Sequence, residues 1–161
     1  MKRLLILPVL LFTLLVASPA FSADLQKGWT AYESGDYATA LREYTSLAKQ
    51  GGRAAQYNLG MMYQKGKGTP QDYKTAVKWY RLAAEQRHVS AQINLGLMYH
   101  NGQGVIQDNV YAHVWWSIAA SAGSKTASEY RDIVAGRILP ARIEDAQKIA
   151  RECVRKKYKG C

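Results

Sequence analysis

AQYNLGMMYQKGKGTPQD at residues 55–72 returns thirty-six positions later as AQINLGLMYHNGQGVIQD at residues 91–108. Carried over a whole unit, residues 55–90 and 91–126 align without a gap and share 15 of 36 residues. A period between about 20 and 50 residues marks a solenoid, in which each unit buries its apolar face only by stacking on its neighbours. Within the unit, Ala55, Leu59, Met62 and Tyr63 keep helical spacing, and Gly60 offers a surface smooth enough for a second helix to approach closely. Gly66 and Gly68, returning as Gly102 and Gly104, can adopt backbone angles closed to other residues and so turn the chain. Asp72 and Asp108 follow, placed to cap the orphan amides of a second helix whose packing stripe is Ala76, Trp79, Ala83 and Ala84. Each unit is therefore read as a pair of helices.

The pattern extends both ways from this centre. Upstream, Asp36, Tyr37, Ala40, Tyr44 and Ala48 keep step with Asp72, Tyr73, Ala76, Tyr80 and Ala84, so a shorter-looped unit starts near Asp24. Downstream, Ala127 continues the series of Ala55 and Ala91, but Arg131 and Asp132 replace the Leu-Gly pair and the core pattern decays. Two capping helices are expected, at about 126–138 and 141–157, with Pro140 suited to the first turn of the last one. The fold expected is all-α, a short superhelical solenoid of about four helix pairs with a C-terminal capping helix. Its units fall at about 24–54, 55–90 and 91–126, with capping helices in 127–161.

The first stretch has a basic start at Lys2 and Arg3, an apolar run from Leu4 to Ala17, and small residues at Ala20 and Ser22. This is the pattern of a secretory signal peptide spanning 1–22, with the repeat domain at 23–161. A membrane anchor is the rival reading, but the run holds Pro8 and falls short of the roughly 18 to 20 apolar residues a bilayer needs. The expected destination is the periplasm or the medium, without stable membrane insertion. Cleavage would remove two of the 22 basic residues and none of the 12 acidic ones, lowering the net charge from +10 to +8. Much of the excess lies in residues 131–161, which end in RKKYKGC. Such a cluster attracts anionic polymers through forces that weaken with salt, although a solvated helix face explains it as well. Nucleic acid is disfavoured for an exported protein. Cys153 and Cys161, the two cysteines of the chain, are expected to pair in an oxidising compartment, with free thiols or an intermolecular bridge as the alternatives. Pairing demands that the helix end before Cys161, because eight residues of helix span roughly 12 Å and a disulfide tolerates about 7 Å.

The stretch AQYNLGMMYQKGKGTPQDYKTAVKWYRLAAEQ and its copy resemble the Sel-one-like repeat, a relative of the tetratricopeptide repeat, over residues 24 to about 126. The first unit departs toward the tetratricopeptide form in GWTAYESGDYATAL. The resemblance implies a helical scaffold that binds proteins or peptides, acts in the bacterial envelope, and carries no catalysis of its own. It also implies an inner wall lined by the first helix of each pair. Carried onto this chain, the wall is Leu25, Trp29 and Tyr32, then Tyr57, Met61 and Gln64, then Ile93, Leu97 and His100. Several of these could equally pack against the neighbouring helix.

Catalytic motifs fail on inspection. The Ser46-to-Lys49 stretch SLAK has the spacing of penicillin-recognising enzymes but lacks their companion Lys-Thr-Gly strand and second hydroxyl loop. The stretch GMMYQKGKG has the wrong spacing for a phosphate loop and no Ser or Thr after Lys67. His88, His100 and His113 share no ligand spacing with each other or with either Cys, so neither metal nor cofactor is expected. The reading favoured is an exported, non-enzymatic adaptor that grips a segment of another protein in its groove. The alternative is a binder of an anionic cell-envelope polymer through the basic C-terminal helix.

Overall fold

The computed structural model describes residues 19–161, and the apolar run assigned to a signal peptide lies outside that span. Among the described residues the structure is entirely helical. Its helices are α1 (Pro19–Glu33), α2 (Tyr37–Lys49), α3 (Arg53–Lys65), α4 (Tyr73–Glu85), α5 (Val89–Asn101), α6 (Asn109–Ser121), α7 (Lys125–Ala135) and α8 (Pro140–Arg155). Each helix from α1 to α6 packs on the next in chain order, the nearest-neighbour pattern of a solenoid. No helix among the described residues is long and apolar enough to cross a membrane.

Glycine on the first helix of a pair sets the closeness of the second. A Cβ added to Gly28 would lie 2.7 Å from the Tyr44 ring, and one added to Gly60 would lie 2.7 Å from the Tyr80 ring. At Gly96 the occupant is the Trp116 indole, closer still. Tyr44, Tyr80 and Trp116 are correspondingly buried. This differs from the expected stripe. Trp79 is half-buried and packs outward against the α1–α3 core, while its neighbour Tyr80 is the ring beneath glycine.

The loops repeat with equal regularity. Gly66 and Gly102 close α3 and α5 in the left-handed conformation, φ 65° and 67°, which L side chains rarely adopt. Asp36, Asp72 and Asp108 cap α2, α4 and α6, accepting from the amides of Thr39 at 3.0 Å, Thr75 at 3.1 Å and Tyr111 at 3.1 Å. Those hydrogen bonds hold the carboxyls of Asp36 and Asp72 below the usual aspartate range, Thr39's amide leading at the first and Thr75's hydroxyl at the second.

Successive pairs are joined by buried glutamines. Gln56 Nε2 donates to the Ala48 carbonyl at 3.2 Å, and Gln92 Nε2 donates to the Ala84 carbonyl at 3.1 Å. Gln86 then donates to Gln56 Oε1 at 2.8 Å and to the Gly51 carbonyl at 3.0 Å. One repeat later the residue matching Gln86 is Ala122, and Gln92 Oε1 is left buried without a partner among the described residues.

The C-terminal cap differs from an ordinary repeat. Helix α8 starts at Pro140 and lies against α6 rather than forming a hairpin with α7. Its buried face is Ala146, Ala150 and Cys153, which join the core around Trp115, Val114 and Ile118. Beyond Arg155 the chain turns back through left-handed Lys157 and Tyr158, and Cys161 returns to within 5.7 Å (Cα–Cα) of Cys153, to which it is disulfide-bonded.

The orphaned oxygen yields a prediction. Ala122→Gln should supply Gln92 Oε1 with the donor it lacks, raising stability by about 1 kcal/mol and the melting temperature by about 3 °C. An unchanged melting temperature would show that the gap costs nothing.

Candidate functional site

The residues assigned to the wall lie on α1, α3 and α5, and the structure divides them into two groups. Trp29 is 45 % exposed and stacks on Tyr32 with ring centres 6.3 Å apart. Leu25, Tyr32, Tyr57, Met61, Ile93 and Leu97 are half-buried. Each of these also packs against a core cluster, Leu25 and Tyr32 on the first pair, Tyr57 and Met61 on the second, Ile93 and Leu97 on the third. They present part of an apolar surface and use the rest as seam between helices. The seam continues through Tyr57, which stacks on His88 at 4.6 Å and tilts against Tyr80 at 5.9 Å. Burial raises the Tyr57 phenol above its ordinary range, tempered by the Asn94 carboxamide, with Tyr32 adding slightly. Burial also pushes the Tyr44 hydroxyl up to about 12.

Gln64 and His100 form the second group, with their polar atoms already engaged. The Tyr80 hydroxyl donates to Gln64 Oε1 at 2.6 Å, and Gln64 Nε2 points to the Met98 sulfur at 3.7 Å. His100 Nδ1 pairs with Asn109 Oδ1 at 2.8 Å, and its ring tilts against Trp116. Both side chains bind helix to helix. None of the nine residues is Asp, Glu, Lys or Arg.

Two histidines serve the frame. His88 caps α5, its Nδ1 accepting from the Ala91 amide at 3.3 Å, a role open only to the neutral ring. The matching cap one repeat later is Ser124, which accepts from Ala127 at 3.2 Å. His113 is 3 % exposed, with Nδ1 3.2 Å from the Ser117 hydroxyl. Burial holds both imidazoles below the ordinary 6.5, assisted by Arg53 at His88 and by Arg131 at His113. Among the described residues there is no grouping of three or more His, Cys, Asp or Glu that could hold a metal ion.

A feature missed by sequence reasoning is an open cleft of about 630 Å³ between α6, α7 and α8. It exists because α8 rests on α6 and leaves the flank of α7 uncovered. The loss of the Leu-Gly pair at Arg131 and Asp132 was its sequence signal.

The imidazoles predict how stability depends on pH. The unfolded chain takes up protons near pH 6.5 while the folded chain resists them, so stability falls as pH drops through 6.5 toward the lower folded values and levels off below them. His88→Ser keeps the cap and removes one of the two groups. It should narrow the loss of melting temperature between pH 7.5 and 5.5, and a loss equal to that of the parent would contradict the assignment.

Residues 53–88 and 89–124 each match the family model of the Sel1 repeat. The chain is similar to c5321, a protective antigen present in uropathogenic Escherichia coli strains displaying an SLR fold, with TM-score 0.81 and 29% identity over 86% of this chain and 30% of that one. It is also similar to a Sel1 repeat protein from Oxalobacter formigenes, with TM-score 0.64 and 33% identity over 66% of this chain and 44% of that one. The chain thus spans less than half the length of either solved relative. Among curated proteins there is no match.

Proposed function

This chain is a helical-repeat protein carrying two Sel1 repeats in an SLR-type fold, and on that footing we propose that it is an exported adaptor holding a partly apolar segment of another protein. The segment lies along the wall of α1, α3 and α5, and no chemistry is performed on it. The observation that carries this reading is the wall itself, where Trp29 is exposed and its half-buried neighbours Met61 and Leu97 offer apolar surface. Aromatic and Met side chains give large contact area and adaptable packing at little electrostatic cost. Export is supported by the basic and apolar start of the chain and by the Cys153–Cys161 bond, since disulfides persist in oxidising compartments. Mass spectrometry of the exported protein should find a mature chain starting near Ala23. Retention of residues 1–22 in a membrane pellet would count against export.

A second reading rests on Arg155, Lys156, Lys157 and Lys159, all exposed and without an ion pair among the described residues. These would hold an anionic envelope polymer. Salt separates the two readings, because polymer binding collapses as ionic strength rises while an apolar wall loses little.

The test is capture of partners from envelope extract at low and high salt by the parent and by Trp29→Ser and Met61→Ser. Capture should survive high salt, fall by about tenfold in each variant through loss of buried apolar area, and leave the helical circular dichroism unchanged. Capture abolished by salt, or retained in both variants, would contradict the wall as the binding surface.

A further inference from the structure

We propose that the cleft between α6, α7 and α8 is a second binding site, independent of the wall, which takes an acidic peptide segment with apolar side chains.

The argument begins with register. Arg131, Asp132 and Ala135 of α7 stand thirty-six residues after Leu95, Gly96 and Tyr99 of α5. At α3 and α5 the glycine of this trio lies beneath a ring of the following helix, Tyr80 or Trp116. At α7 the glycine has become Asp132, and the last helix crosses to α6 instead. The flank that accepts a polypeptide in the earlier repeats is therefore left as an open slot. Its volume, about 630 Å³, lies within the range of roughly 300–1,000 Å³ usual for binding pockets.

The lining then selects the occupant. The apolar walls are Ile118 of α6 with Ile143, Ala150 and Val154 of α8, and Val154 is 45 % exposed. Two arginines line the slot, Arg131 on α7 and Arg151 on α8. Arg131 is satisfied locally, its Nε donating to Asp132 Oδ1 at 2.8 Å. Arg151 makes no ion pair among the described residues. The slot thus carries one uncompensated cation beside apolar walls, with the Ser117 and Ser121 hydroxyls and the Gln147 carboxamide along the lining. A carboxylate paired with Arg151 by charge-assisted hydrogen bonds, next to an aliphatic side chain against Ile143 and Val154, complements it. A basic segment would meet like charge, and a purely apolar one would leave Arg151 facing it unpaired.

The test uses the ¹⁵N-labelled, disulfide-bonded protein titrated with the peptide Ac-Leu-Glu-Leu-Glu-NH2 and with Ac-Leu-Gln-Leu-Gln-NH2, reading amide chemical shifts. The Glu peptide should give saturable shifts confined to α6, α7 and α8. The Gln peptide, and the Glu peptide on Arg151→Glu, should bind about tenfold more weakly, the scale of one lost charge-assisted contact. Lys74→Glu, a charge reversal on the exposed face of α4 away from the cleft, should bind as the parent does. The proposal is overturned by equal affinity for the two peptides, by shifts confined to α1, α3 and α5, or by the absence of saturable shifts. Shifts of cleft residues that grow with protein concentration alone would also overturn it, by giving the slot to a second copy of the chain.

Discussion

Contact between a glycine on one helix and an aromatic ring on the next is the constraint on which this fold depends. Gly28 with Tyr44, Gly60 with Tyr80, and Gly96 with Trp116 place each ring where a β-carbon would otherwise stand. The contact does two things at once. It sets the distance between the helices of a pair, and it commits one large aromatic side chain of the second helix to the interior. Glycine weakens a helix by roughly 0.5–1 kcal/mol relative to alanine, so its return in three successive pairs reflects the room that the ring requires. With the pair fixed in this way, the same face of the first helix returns at α1, α3 and α5.

The links between pairs are of a different kind and are polar. Gln56 and Gln92 reach back to the carbonyls of Ala48 and Ala84, so each first helix is tied to the end of the preceding second helix. The repeat stops where both devices stop. Ala122 omits the donor that Gln86 supplied, and Asp132 fills the glycine position with a side chain. Without room for a ring above α7, the last helix rests on α6 through the small face of Ala146, Ala150 and Cys153, and the bond to Cys161 ties its final turn back onto itself. A solenoid's terminal unit has a neighbour on one side only, and here that end is finished by a crossing helix and a short covalent loop.

Much of this was legible in the sequence, and the exceptions have physical causes. The helix pairs and the Asp caps could be read because the residues responsible recur at one fixed offset. Identity between the copies misled at Trp79, since the conspicuous match of Trp79 with Trp115 drew the packing stripe one residue away from Tyr80. The ring position itself varies, Tyr80 in one copy and Trp116 in the next, because what it conserves is shape against glycine. Gln64 and His100 were placed on the wall by offset alone, and a sequence does not reveal that Tyr80 and Asn109 already occupy their polar atoms. The docking of α8 on α6 was not legible, because the spacing of Ala146, Ala150 and Cys153 marks one apolar face of a helix without naming the helix it packs on. The cleft beside it could be sensed only as a loss of pattern.

The claim that glycine is present to admit the ring is tested most directly by a double-mutant cycle between Gly60→Ala and Tyr80→Leu, measured by denaturant unfolding. Alone, Gly60→Ala should destabilise the protein by about 1–3 kcal/mol through overpacking. In the Tyr80→Leu background the same change should cost at least about 1 kcal/mol less, because alanine's helix propensity offsets the overpacking that remains. Additivity of the two changes within about 0.5 kcal/mol would contradict the account.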